Sequence, residues 1–127
     1  MDYNLLHNIW DIGNYELWNV HQKIKKSLMD YEKSHSWVLL DSDKLTLGFA
    51  RRITEYKRPT LIFDDVERLG KICKGRVQFI FAGKSHPRDE QGKGFIKTIS
   101  DMSDYLYDSY DIGLVFLDSY DMDLAKL

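Results

Sequence analysis

A single cysteine, Cys73, excludes an internal disulfide framework and points to a reducing, cytoplasmic setting. Long apolar runs are missing as well. The longest, WVLL and FIFAG, fall far short of the roughly 20 residues that a membrane-spanning helix needs. The N-terminal stretch MDYNLLHNIWDIGN has no basic segment followed by an apolar one, so it carries no secretory-signal pattern. Nor is there an excess of charge of one sign. A formal net charge of −2 argues against general nucleic-acid binding, which needs a strongly basic domain. His7, His21, His35 and His86 lack metal-ligand spacing, and one cysteine cannot complete a zinc site, so no metal is expected. FAGKSHP lacks the G-x-x-x-x-G-K-[ST] spacing of a P-loop, and the GKG at Gly92–Gly94 is no dinucleotide fingerprint.

What remains is the material of one modest soluble domain: 127 residues, 43% hydrophobic and 30% charged. Leu17, Val20, Ile24, Leu28 and Tyr31 recur at helical spacing and predict a helix over Tyr15–Tyr31, with Asn14 as its N-cap. KSHSWVLLDSDK reads as a connector whose apolar middle is free to pack. From Leu45 the pattern alternates. LTLGFA (Leu45–Ala50) is a strand. A helix opens near Tyr56–Pro59 and carries Ile62, Val66, Leu69 and Cys73 on one face, with Gly75 ending it. Cys73 is therefore expected as a buried, inert thiol. RVQFIFAG (Arg76–Gly83) is a second strand, a weaker helix follows from Asp89 to Met102, and DIGLVFLD (Asp111–Asp118) is a third strand. YDMDLAKL starts a helix with Asp121 as its N-cap. This β-α-β-α-β order predicts an α/β fold, a parallel sheet with right-handed crossover helices. Three strands make a small parallel sheet, so the chain is expected to be a fragment of a larger α/β domain.

Ligands of open parallel sheets sit outside the carboxyl ends of the strands. The first strand runs directly into GFARRITEYKRPT, where Arg51, Arg52, Lys57 and Arg58 crowd into eight residues. The second strand ends in Gly83 and Lys84, with His86 close behind, and the third in Asp118–Asp121. Arginine offers a rigid bidentate fork for phosphate and lysine a mobile point charge. A helix opening near Pro59 would add free N–H groups to the same crevice. Exposed cations are ordinary, and a solvated loop is the competing reading of this cluster. A small glycine beside Lys84 allows close backbone approach. Lys84 and His86 are pocket candidates; a surface role for His86 is the plainer one. The aspartates of the last third read as a solvated face.

Three stretches, LTLGFARRITEYKRPTLIFDDVERL, VQFIFAGKSHPRDEQGKGFI and VFLDSYDMDLA, resemble consecutive motifs of the α-glucan phosphorylases, the glycogen and maltodextrin phosphorylase group, in the family's order. LWNVHQKIKKSLMDY is similar to the helix that precedes the carboxyl-terminal domain in the shorter bacterial and archaeal branch. The likeness is weakest from Ile99 to Tyr110. It implies a fragment of the C-terminal, Rossmann-like domain of a GT-B glycosyltransferase, with residues 1–43 a helical lead-in and linker and residues 44–127 the partial domain on the cofactor and phosphate side. It implies pyridoxal phosphate (PLP) as cofactor, with α-1,4-glucan and inorganic phosphate as substrates and glucose 1-phosphate as product. Neither nucleic acid nor a membrane is implied as partner, and a homo-oligomer is an open partner of the intact protein. On this likeness Arg52 and Lys57 hold the substrate phosphate, while Arg51 and Lys57 contact the cofactor phosphate. The Schiff-base lysine of the family is not in this chain, and Asp118-Ser119 stand where Glu and an acidic residue are expected. The isolated chain is accordingly expected to be inactive. Two alternatives stay open: a nucleotide-sugar-dependent GT-B glycosyltransferase, and a non-catalytic phosphate- or phosphosugar-binding module. The Tyr56-Lys57-Arg58 run and AGKSHP favour the phosphorylase.

Overall fold

The computed structural model describes residues 7–126. At its centre lies a parallel sheet of three strands in the order β1 (Leu45–Ala50), β2 (Val77–Ala82), β3 (Leu114–Leu117). Leu45 to Ala50 pair in register with Val77 to Ala82, and Phe79 to Ala82 with Leu114 to Leu117. The expected parallel pairing and crossover order are both present. β1 has its expected bounds. β3 is shorter than Asp111–Asp118, although the Phe79 N–H donates to the Gly113 carbonyl (2.8 Å) and carries the ladder one residue further back.

Side chains alternate across the strands, and the two faces build two cores. On one face Ile80, Ala82, Val115 and Leu117 meet Met29, Val38, Leu40 and Leu124. On the other Phe79, Phe81 and Leu114 meet Cys73, Ile99, Leu106 and Ile112. Phe81 stacks between Phe49 and Phe63, with ring centroids 5.5 and 5.9 Å away. Full burial of each such side chain stabilises by roughly 1.5–3 kcal/mol. Cys73 is buried in the second core, and burial pushes its thiol above the ordinary value, as expected of an inert cysteine.

Helix α1 (Asn14–Lys33) supplies Met29 to the first core, with Leu28 and Tyr31 packed against it. The rest of its predicted stripe, Leu17, Val20 and Ile24, is exposed. Gly13, extended and without a side chain to cap, takes the N-cap position expected of Asn14, which is already helical. In the connector, Val38 and Leu40 turn into the core while Trp37 and Leu39 face outward. Helices α2 (Val66–Cys73) and α3 (Glu90–Tyr110) cover the opposite face.

Two helix boundaries differ from expectation. α2 starts ten residues after Tyr56, at Val66, because Asp65 caps it by accepting from the Arg68 N–H (3.0 Å). Before it the chain makes two single 3-10 turns, Glu55–Lys57 and Leu61–Phe63. α3 runs to Tyr110 rather than Met102, because Leu106 extends the buried stripe of Ile99 by two turns. At the other end Asp121 caps as expected, its carboxylate accepting from the Leu124 N–H (2.9 Å) ahead of a 3-10 turn at Leu124–Lys126. No helix among the described residues is long and apolar enough to cross a membrane.

Candidate functional site

The carboxyl ends of the three strands are zipped together. The Arg51 N–H donates to the Ala82 carbonyl (3.0 Å), Ile53 to Lys84 (3.1 Å) and Gly83 to Leu117 (3.1 Å). Ile53 is fully buried (0% exposed) at the end of this extension, while Arg51 and Arg52 remain exposed. Arg51, Arg52, Lys57, Arg58 and Lys84 have no carboxylate within salt-bridge distance among the described residues, whose ion pairs lie elsewhere. Within residues 51–58, four cations against the single carboxylate of Glu55, with no ion pair formed among the described residues, leave this part of the strand-to-helix connection with a net positive field.

Lys57 closes the first 3-10 turn and is half-buried, its ammonium 4.8 Å from the Tyr56 ring centroid. Arg58 follows in the left-handed region (φ 50°), a conformation that costs a non-glycine residue about 1–2 kcal/mol. Pro59 is buried behind it. Lys57 and Arg58 border an apolar cleft of about 430 Å³, with Leu47, Phe49, Ile62 and Phe81 in its wall. The expected helix N-terminus is not here. Lys57, Arg58, Leu61 and Phe63 spend their N–H groups on carbonyls three residues back, and the amino end of α2 is occupied by its own Asp65. Side-chain cations therefore supply the positive charge, without the oriented backbone donors that a helix opening near Pro59 would add.

Lys84 is exposed and lies near Asp121, whose carboxyl is held below the ordinary range by the Leu124 N–H first and by Lys84 in smaller part. His86 is exposed too. Its Nδ1 accepts from the Arg88 N–H (3.2 Å) within the turn. Lys84, His86, Arg51 and Arg52 border neither this cleft nor the larger one, about 640 Å³, between α1 and the β1 side of the sheet. Among the described residues no group of three or more His, Cys, Asp or Glu could hold a metal ion. Sequence reasoning missed Ile53, which anchors the basic segment, and read Tyr56 only as part of the Tyr56-Lys57-Arg58 run, not as the ring that faces Lys57. The lone apolar residue between Arg52 and Thr54 was the available signal for the first.

The chain matches no protein-family model. It is 47% identical to a glycogen phosphorylase of Aquifex aeolicus over 72% of its own length, which is 16% of that protein. A maltodextrin phosphorylase of Thermococcus litoralis is 34% identical over 88% of the chain and 17% of the relative. A glycogen phosphorylase of Mycobacterium tuberculosis is 36% identical over 82% of the chain and 12% of the relative. The chain thus spans less than a fifth of the length of each of these relatives.

Proposed function

Because this chain belongs to the α-glucan phosphorylase family and spans a segment of its members, we infer that it forms the phosphate-binding wall of an enzyme that cleaves α-1,4-glucan with inorganic phosphate to give glucose 1-phosphate. The observation that carries this reading is the set of cations after β1 with no carboxylate partner among the described residues. Arg52 and Lys57 hold the substrate phosphate, Arg52 as a fork and Lys57 as a point charge. Arg51 and Lys57 contact the phosphate of PLP. The unpaired state of these side chains fits that group, whose phosphate supplies an acid/base function beside the substrate when bound. Two phosphates brought together repel, and several fixed cations offset that repulsion. The basic side chains of this chain bind and orient. The opposing wall and the cofactor's covalent anchor are contributed by phosphorylase sequence other than that of this chain. A cytoplasmic setting, as the lone cysteine suggests, suits a glucan substrate.

Titration with inorganic phosphate, followed by amide NMR shifts in the chain, in Arg52→Ala and in Lys57→Ala, tests the site. Shifts centred on residues 51–58 that weaken about fivefold in each variant are expected for partly solvated charge-assisted contacts. An unchanged response in both variants, with folding intact, reduces the cluster to a solvated loop.

A further inference from the structure

We propose that Gly83 is the positioning residue of this anion site, an inference that rests on the phosphate reading of Arg51 and Arg52. Gly83 follows β2 and is buried at the middle of the three strand ends. Its N–H donates to the Leu117 carbonyl on β3, while its Cα faces the Arg51 backbone on the β1 side. A Cβ at this position would overlap the Arg51 carbonyl oxygen, lie 3.1 Å from the carbonyl carbon and 3.4 Å from the Ile53 Cδ1 methyl. The backbone of Gly83 is not in the left-handed region; Gly75 is the described glycine with positive φ. Space, not conformational freedom, is what position 83 requires.

The consequence falls on the cations. The donor rhythm of β1 continues past Ala50: Leu45 donates to Arg76, Arg51 to Ala82 and Ile53 to Lys84. Here the Arg51 carbonyl rests on the bare Cα of Gly83, and the Ile53 N–H then reaches the Lys84 carbonyl (3.1 Å). Arg51 and Arg52 are held between two backbone hydrogen bonds, with Ile53 buried as the far anchor. Any side chain at position 83 must push this segment off the end of β2. Glycine at this point fixes where two arginines begin, without touching phosphate itself.

The experiment combines amide hydrogen exchange with titration by inorganic phosphate in the chain, in Gly83→Ala and in Gly75→Ala. Gly75→Ala strains a left-handed glycine that has open space around it, and so serves as a stability control remote from the arginines. In the unaltered chain the Arg51 and Ile53 amides should exchange as slowly as that of Phe79 in β2. In Gly83→Ala the Ile53 amide should exchange about tenfold faster than in Gly75→Ala, and the phosphate shifts should weaken about fivefold. A folded Gly83→Ala with an undiminished phosphate response overturns the proposal, as does an equal loss in Gly75→Ala. Should Gly83→Ala not fold, the unaltered chain still decides: Arg51 and Ile53 amides exchanging at loop rates overturn it. An unaltered chain that gives no phosphate response defeats the anion reading itself, which separates that failure from this one.

Discussion

The side-chain amide of Gln78 pairs with the backbone of Asp41 as if it were another strand. Its Nε2 donates to the Asp41 carbonyl (2.7 Å) and to Thr46 Oγ1 (2.8 Å), and its Oε1 accepts from the Asp41 N–H (2.9 Å). Gln78 is 1% exposed, so nearly all of its polar capacity is met inside the protein. It ties the connector before β1 to the sheet.

Replacing this residue with an apolar one strands the Asp41 backbone groups. Gln78→Leu should lower unfolding stability by about 1–3 kcal/mol, read from urea denaturation, because an unsatisfied buried polar group loses its whole compensation. A variant as stable as the parent would show that water reaches Asp41 and replaces the amide.

Glu32 is the opposite case. It is 0% exposed, and among the described residues neither carboxylate oxygen has a well-formed hydrogen-bond partner. Burial raises its carboxyl above the ordinary 4.5, and Ser36, Lys33 and His35 offset only part of that rise. A raised folded-state value means the folded chain holds its proton more tightly than the unfolded one. The contribution to stability is complete below about pH 4.5 and is lost as pH rises through the folded-state value. Glu32→Gln should therefore be more stable than the parent at pH 7, with the difference closing as pH falls through the raised folded-state value and gone below about 4.5. Thermal melts across that range check it, and a pH-independent difference would mean the carboxylate is solvated.

Much of this was legible in the sequence, for identifiable reasons. β1 and β2 are bounded by residues that change character abruptly, Lys44 to Leu45 and Ala82 to Gly83, so both were locatable. The basic segment and its strand-end position followed from them. The start of α2 did not, because Pro59 suits the turn that the Leu61 N–H closes on the Arg58 carbonyl as well as a helix's first turn, and the side chain that decides is Asp65. The second half of α3 was obscured by Asp and Tyr residues, its buried stripe resting on Leu106 alone after Ile99. The roles of Gln78, Ile53 and Gly83 depend on partners 30 or more residues away, and periodicity carries no such information.

Glycine in a helix interior normally costs about 0.5–1 kcal/mol relative to alanine, yet two such positions here should respond with opposite sign. Gly94 in α3 has open space where a Cβ would stand, with nothing within 4 Å, so Gly94→Ala should stabilise by about 0.5–1 kcal/mol. Gly70 in α2 is buried beneath Tyr110 at the end of α3, and a Cβ there would stand 2.5 Å from the ring. The ring already meets Tyr105 edge-on, with centroids 6.1 Å apart, so moving it disturbs a second contact. Overpacking costs of about 1–3 kcal/mol outweigh the helix gain, and Gly70→Ala should destabilise on balance. Denaturation of both single variants tests the signs. Combining Gly70→Ala with Tyr110→Ala then tests the cause, because removal of the ring should abolish the penalty and leave a favourable coupling between the two sites. Additive effects in that double variant would mean that the helices meet somewhere other than Gly70 and Tyr110.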